Sequence, residues 1–244
     1  MTGAGAAPRR GGWPGWPLAG AAFGLGAVMA TGQAPWGFWY LALPALAAVT
    51  ALVARVPQAR AAAWAGLFAG AGHFGLALSW IIEPFLIDVA RHGWMAPFAL
   101  VLMAFGLALF WAAAAGAAHR LGRGVASRAV AFALLLTGAE AARGVLFTGF
   151  PWAQPGHVWI GTPVDQLAAL AGPHALTLLV AGLAAAAVAA PRAGTAVALA
   201  VLAGVWAAGA ARLAQPLPER AEAPLLRLVQ PNAEQALKWE DALA

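Results

Sequence analysis

Two ionisable residues, Glu140 and Arg143, lie three positions apart inside a long apolar segment. Residues at this spacing share one face of a helix. Ionisable side chains within a membrane-spanning helix are costly, so they usually pair with each other or face a cavity. Two interpretations stay open. The residues form a structural ion pair that holds their helix to its neighbours, or Arg143 binds a lipid phosphate, which a guanidinium group suits well.

The sequence Gly149-Phe150-Pro151-Trp152 opens a loop directly after that segment. Tryptophan is common at membrane–water interfaces, so one interpretation is a simple interfacial anchor. The other is a lipid-binding lining, in which Phe150 and Trp152 contact an acyl chain and Pro151 lies beside them.

The other residues capable of chemistry offer no clear site. The five histidines are scattered without a metal-binding spacing, and there is no cysteine. His73 and His174 are interpreted as helix–helix hydrogen-bonding residues. Glu83 and Asp88 are interpreted as solvated loop carboxylates. The sequence therefore predicts no metal site and no cofactor.

The composition predicts a membrane protein. Hydrophobic residues make up 62% of the 244 residues, charged residues only 9%, and the mean hydropathy is +0.76. Soluble domains carry about 25% charged residues. The net charge of +5 does not indicate nucleic-acid binding, because the basic residues occur singly or in pairs between apolar runs.

Seven apolar segments form the predicted transmembrane bundle, residues 13–211, after a cytoplasmic N-terminus of residues 1–12. Backbone polar groups inside a bilayer must bond internally, so each segment is predicted to be a helix. The segments are 13–30, 36–54, 61–82, 94–118, 129–148, 164–190 and 193–211.

The positions of the arginines predict the orientation of the bundle. With the N-terminus inside, the short outer loops hold only Arg91. This bias follows the positive-inside rule and sends the C-terminal tail outside. The inner segments hold Arg9, Arg10, Arg55, Arg60, Arg120, Arg123, Arg128 and Arg192.

The tail, residues 212–244, differs from the bundle in composition. A polar linker precedes Leu225–Gln230, which has the pattern of a short strand. A single strand is not stable alone. The tail is therefore either a disordered terminus or the beginning of a further soluble domain.

Several segments together resemble the bacterial apolipoprotein N-acyltransferases. They lie after the first apolar segment, at the end of the third, around the end of the fifth and in the tail. They read Ala34-Pro35-Trp36, Leu78-Ser79-Trp80, Glu140-Ala141-Ala142-Arg143-Gly144, Thr148-Gly149-Phe150-Pro151-Trp152, Leu228-Val229-Gln230-Pro231-Asn232 and Gln235-Ala236-Leu237-Lys238-Trp239.

The resemblance implies an enzyme of the bacterial inner membrane with an outer, nitrilase-like αββα domain. Its reaction transfers an acyl chain from a phospholipid to the N-terminal diacylglyceryl-cysteine of lipoproteins. The implied partners are thus a phospholipid, a diacylated apolipoprotein and the membrane, with no nucleic acid. Catalysis in the family uses a Glu-Lys-Cys triad that forms a thioester.

The sequence departs from the family pattern in its length. It stops soon after the first nitrilase-like strand, so the resemblance places all three triad residues beyond residue 244 and implies an inactive fragment. Trp239 matches a tryptophan near the family's active site. The fold class is thus a bundle of about seven transmembrane helices followed by the first strand of a truncated domain. A membrane transporter and a structural anchor for a periplasmic partner stay as alternatives.

Overall fold

The computed structural model describes residues 15–216 and 227–230. This part of the chain is helical and contains no strand. Its long helices are α1 (Trp16–Ala30), α2 (Trp39–Arg55), α3 (Ala59–Ala77), α4 (Ala96–Leu121), α5 (Val125–Arg143), α6 (Pro173–Ala189) and α7 (Ala193–Leu213).

The first six helices form one bundle. Each packs on the next in the order α1, α3, α4, α5, α6 and α2, and α2 returns to α1. Helix α2 also contacts α3 and α5 across the bundle. Helix α7 lies outside this ring, against α6 and the 3-10 turn at Pro163–Leu167.

Small residues let α3 approach both of its main neighbours closely. A Cβ atom at Gly72 would overlap the Phe23 carbonyl of α1, and one at Gly70 would lie 2.9 Å from the Ala108 Cβ of α4. In a bilayer the hydrophobic effect does not drive helices together, because the lipid tails are as apolar as the side chains. Helices associate there through close van der Waals packing, which glycine allows. The alanine- and glycine-rich sequence therefore specifies tight packing around α3.

One end of the bundle is basic and has short loops. Residues 56–58, 122–124 and 190–192 connect the helices there. His119 Nε2 lies 2.8 Å from the Val56 carbonyl oxygen, and Arg128 donates to the Ala54 carbonyl at 3.2 Å. These bonds tie the end of α4 and the start of α5 to the end of α2.

The opposite end has long loops built from short helical turns. The loops are residues 31–38, 78–95 and 144–172. They contain 3-10 turns at Ser79–Leu86, Gly93–Met95, Leu146–Thr148, Pro155–Trp159 and Pro163–Leu167, and short α-helices at Val89–His92 and Ala168–Ala171.

Three predicted helix ends were wrong at this second end. Helix α5 stops at Arg143, not at residue 148, and α6 begins at Pro173, not at 164. The backbone has left the helical conformation by Val145, with φ of −127°, and left-handed Phe147 prevents the helix from continuing. Gly172, with φ of 78°, interrupts the second predicted segment. Helix α3 ends at Ala77, and the following turn to Leu86 bends away by 49°.

The seven predicted apolar segments all contain a long helix, but they differ in length. Within the described residues, three helices are long and apolar enough to cross a membrane, or four if α3 and the bent turn after it form one span. The other apolar helices, α1, α2 and α6, have 15, 17 and 17 residues. A bilayer span needs about 20. Seven spans therefore stay a prediction.

The predicted strand at residues 225–230 is not found in its described part. Residues 227–230 have no regular structure, and Leu228 is 94% exposed. Among the described residues no strand lies beside them, and a stable strand requires one. The remainder of that prediction, and Trp239, lie outside the described residues.

Candidate functional site

The two ionisable residues of α5 are paired and buried. Arg143 donates to the Glu140 carboxylate through two nitrogens, and the side chains are 1% and 0% exposed. The second carboxylate oxygen accepts a hydrogen bond from Trp111 Nε1 of α4 at 2.6 Å. Both oxygens of Glu140 are thus bonded, as a buried carboxylate requires.

The same arginine also holds the start of the 144–172 loop. Its third nitrogen donates to the Phe150 carbonyl oxygen, and its guanidinium lies 5.0 Å from the centre of the Phe74 ring. Carboxylate, carbonyl and aromatic ring therefore surround one cation. The geometry is that of a structural ion pair that fixes a loop, while the role of Arg143 toward a lipid phosphate stays a proposal.

A second set of hydrogen bonds fixes the middle of this loop to α3 and to the 31–38 loop. His73 of α3 is fully buried, and its Nε2 donates to the Ala153 carbonyl at 2.9 Å. The side-chain amide of Gln33 donates to the Gln154 carbonyl, also at 2.9 Å. The His73 ring stacks on Trp111 with centroids 5.2 Å apart, so the two sets are in contact.

His73 was thus wrongly interpreted as a residue that bonds helix to helix. It bonds a helix to a loop carbonyl, which sequence spacing cannot reveal. With the proton on Nε2, Nδ1 has no partner among the described residues, and neither has Nδ1 of His174. Buried polar atoms without a hydrogen-bond partner are uncommon in folded proteins, because leaving them unbonded lowers the stability of the fold.

The loop backbone between the two sets of bonds is unusual. Phe147 and Thr148 have φ of 52° and 74°, Gly149 follows at 85°, and Ala153 has 56°. Non-glycine residues rarely adopt these values, and each costs about 1–3 kcal/mol. Such conformations persist where surrounding bonds over-determine them and are concentrated at functional sites. Here the bonds from Arg143 and His73 supply that restraint.

A cavity of about 480 Å³ opens above these bonds at the loop-rich end. We name it the Trp152 pocket. Trp80 and Trp152 contact each other edge to face in its wall, with ring centroids 6.0 Å apart. Its lining consists of Gly32, Gln33, Ala34, Pro35, Gly37, Ala77, Leu78, Trp80, Trp152, Ala153, His157 and Ile160. The walls are mainly apolar, with an amide and an imidazole as polar groups, a composition suited to an amphiphilic ligand.

A second cavity, of about 320 Å³, lies on the other side of the ion pair. We name it the Phe150 cleft. Met103, Leu107 and Phe110 of α4 form one wall, and Arg143 with residues 146–150 forms the other. Arg143 therefore borders a mainly apolar cleft, although only 1% of its side chain is exposed.

The structure distributes the predicted lipid-binding residues over two cavities. Phe150 borders the cleft named after it, and Trp152, 58% exposed, borders the other pocket. Pro151 is exposed between them. The residues that sequence reasoning missed are those that hold the loop: Gln33, Trp111 and, in its actual role, His73. A tryptophan inside an apolar helix carries no pattern that identifies its partner.

Residues 25–186 match the family described as "Apolipoprotein N-acyltransferase N-terminal domain". The chain belongs to this family. The matched range includes every side chain that forms the ion pair, its loop contacts and the lining of both cavities.

Curated relatives extend the match. The chain is 42% identical over 187 residues to an apolipoprotein N-acyltransferase of Caulobacter vibrioides, covering 74% of this chain and 35% of that protein. It is 36% identical over 240 residues to the Azotobacter vinelandii enzyme of the same name, covering 93% and 46%. The chain thus spans between a third and a half of the length of these relatives.

One histidine in the 144–172 loop of this chain has a shifted pKa. His157 is half-buried beneath the Trp152 pocket. Burial lowers its pKa from the usual value, and the positive charge of Arg143 lowers it further. The folded protein therefore favours the neutral imidazole.

A pH dependence follows from this depressed pKa. Below the unfolded pKa of about 6.5, protons bind the unfolded chain more readily than the folded one. Stability should therefore fall as the pH is lowered from 7 toward 5. The thermal unfolding midpoint, measured in detergent micelles, should therefore depend less on pH between 7 and 5 in the His157→Gln variant than in the unmodified protein. Equal pH curves for the two proteins would contradict the assignment.

Proposed function

We propose that the chain is the membrane part of an apolipoprotein N-acyltransferase and that its loop-rich end presents phospholipid to a catalytic domain. The reaction proposed for the whole enzyme moves an acyl chain from a phospholipid to the α-amino group of a diacylglyceryl-cysteine. This reaction is what the relatives' name suggests, and the pocket chemistry is consistent with an amphiphilic substrate.

Two observations support this proposal: the Trp152 pocket, and the position of the end of α7 at the same end of the bundle. Arg212, at the end of α7, donates to Gln166 of the loop at 3.2 Å, and Gly209 lies against the Pro163 carbonyl. The chain after residue 213 therefore leaves the bundle at the same end as the pocket. A domain that follows the tail would be placed above the pocket.

The proposed chemistry has two acyl transfers. A cysteine thiolate attacks the phospholipid ester carbonyl and releases a lysophospholipid, leaving an acyl thioester. The lipoprotein amine then attacks the thioester, forms the amide and returns the thiol. The 244 residues contain no cysteine, so they can bind and orient lipid but cannot form the thioester.

The orientation is also part of the proposal. The basic end would face the cytoplasm and the loop-rich end the periplasm, in a multi-pass protein of the inner membrane. Glu83, Asp88 and Asp165 lie in the loops of the second end, whereas Arg55, Arg60 and Arg120 lie at the first. This charge distribution supports the assignment.

A chimera tests the function. Residues 1–244 would be followed by the remaining part of the Azotobacter vinelandii relative, and each protein would be incubated with phosphatidylethanolamine and a diacylated lipopeptide. Mass spectrometry of the peptide should show N-acylation by the chimera and none by residues 1–244 alone. Acylation by residues 1–244 alone would disprove the division of roles, and an inserted, folded but inactive chimera would disprove the lipid-presenting function.

A further inference from the structure

A shallow groove lies on the outside of the bundle between α3 and α4, at the basic end. Its volume is about 290 Å³, and it is lined by Arg60, Ala63, Trp64, Leu67 and Ala112. Along α3 it lies far from the Trp152 pocket, whose lining on that helix is Ala77. We name it the Arg60 groove.

Two arginines lie at its basic end. Arg60 is part of the lining, and Arg120 Nη1 lies 4.0 Å from the position that a Cβ atom at Gly116 would occupy. That same position is 3.3 Å from the Cβ of Ala63 in the groove wall. Gly116 therefore keeps open a path between Arg120 and the groove.

These two arginines have charge without a counter-charge. Both are exposed, and within the described residues neither has a hydrogen bond or ion pair. The described carboxylates are elsewhere: Glu83, Asp88 and Asp165 in the loops of the other end and Glu140 in its ion pair. The basic end of the groove is thus a positive site beside an apolar, open depression in the surface.

We infer that the Arg60 groove binds one anionic phospholipid, separate from the acyl donor. Arg60 and Arg120 contact its phosphate, while Ala63, Leu67 and Ala112 contact the upper part of one acyl chain. Basic pockets between membrane helices on the cytoplasmic side bind anionic headgroups in this way. Trp64, beside the arginine at the polar boundary, is placed as interfacial tryptophans are. The inference rests on the proposed membrane embedding but not on the acyltransferase role.

Native mass spectrometry of the full chain in detergent tests the site, with dioleoylphosphatidylglycerol and dioleoylphosphatidylcholine as probes. The first bound phosphatidylglycerol should be preferred over phosphatidylcholine. Arg60→Gln and Arg120→Gln should each weaken that binding about fivefold, as expected for one arginine near an anionic headgroup. Arg192→Gln, which removes an exposed arginine of the same end away from the groove, should have no effect.

A variant that fills the groove distinguishes binding in the groove from a general attraction of anionic lipid to the positive charge of this end. Ala112→Leu leaves the charge unchanged but occupies the space for the acyl chain, so it should also weaken binding of the first phosphatidylglycerol. An excess of inorganic phosphate should not displace the lipid. Equal effects of Arg60→Gln and Arg192→Gln, unchanged binding by Ala112→Leu, or displacement by phosphate would each overturn the inference. None of these results would bear on acylation by the chimera, which tests the proposed function.

Discussion

Glu140→Gln should lower the free energy of unfolding by about 3–5 kcal/mol, because it leaves the Arg143 guanidinium buried without its counter-charge. The substitution keeps an oxygen for the Trp111 N–H, so the lost quantity is mainly the charge interaction. Unfolding by sodium dodecyl sulfate in mixed micelles, followed by tryptophan fluorescence or circular dichroism, measures the difference.

A double variant and a control make this result specific. Glu140→Leu combined with Arg143→Met removes both charges, so its loss of stability should be smaller than that of Glu140→Gln alone. Arg212→Gln removes an exposed arginine that bonds only Gln166 among the described residues, and should cost about 0.5 kcal/mol or less. If Glu140→Gln were no more destabilising than Arg212→Gln, the ion pair would not hold the loop-rich end together.

Trp152→Ala should reduce kcat/KM for phospholipid about 30-fold in the acyl-transferring chimera, because a central tryptophan in a binding site commonly contributes about 2 kcal/mol. The indole forms one side of the pocket and stands against Trp80. Removing it opens the pocket without touching the hydrogen bonds of Ala153 and Gln154. Initial rates at low phosphatidylethanolamine concentration measure the effect.

Trp94→Ala is the matched control for this prediction. Trp94 lies at the same end of the bundle, is 67% exposed and contacts Phe98, but it does not line the pocket. Its removal should leave kcat/KM within about twofold, as for ordinary surface substitutions. Trp152→Phe should recover part of the lost rate if the aromatic wall is what matters. A Trp152→Ala chimera as active as the Trp94→Ala chimera would remove Trp152 from the lipid site.

The helices were predictable because each apolar run is long and bounded by charged, proline or glycine residues. The ends at the basic side were placed within a few residues, as for α4, predicted to residue 118 and observed to Leu121. At the other side the hydrophobic composition continues past the helix ends. Phe147 is apolar but 90% exposed on a left-handed backbone, so hydropathy alone placed it inside a helix.

The site was predictable only in part, for a related reason. Glu140 and Arg143 stand out because charge is rare in an apolar run, and their spacing brings them together on one helix. Trp111, His73 and Gln33 reach the same region from other helices and loops, and two of them bond backbone carbonyls. A carbonyl partner leaves no mark in the sequence, so these contacts required the three-dimensional arrangement.

The peripheral position of α7 has a consequence for how firmly the end of the chain is attached. Only Gly194 and Gly209 of its residues are buried, and the aromatic contact between Trp206 and Trp39 links it to α2. Segments with few buried contacts open locally at a lower free energy than the cooperative core. We therefore expect the six-helix ring to unfold as one unit and α7 to separate from it at a lower free energy. Because the chain reaches the bundle through α7, a force on the chain after Leu213 would displace α7 before it disturbs the buried pair of Glu140 and Arg143.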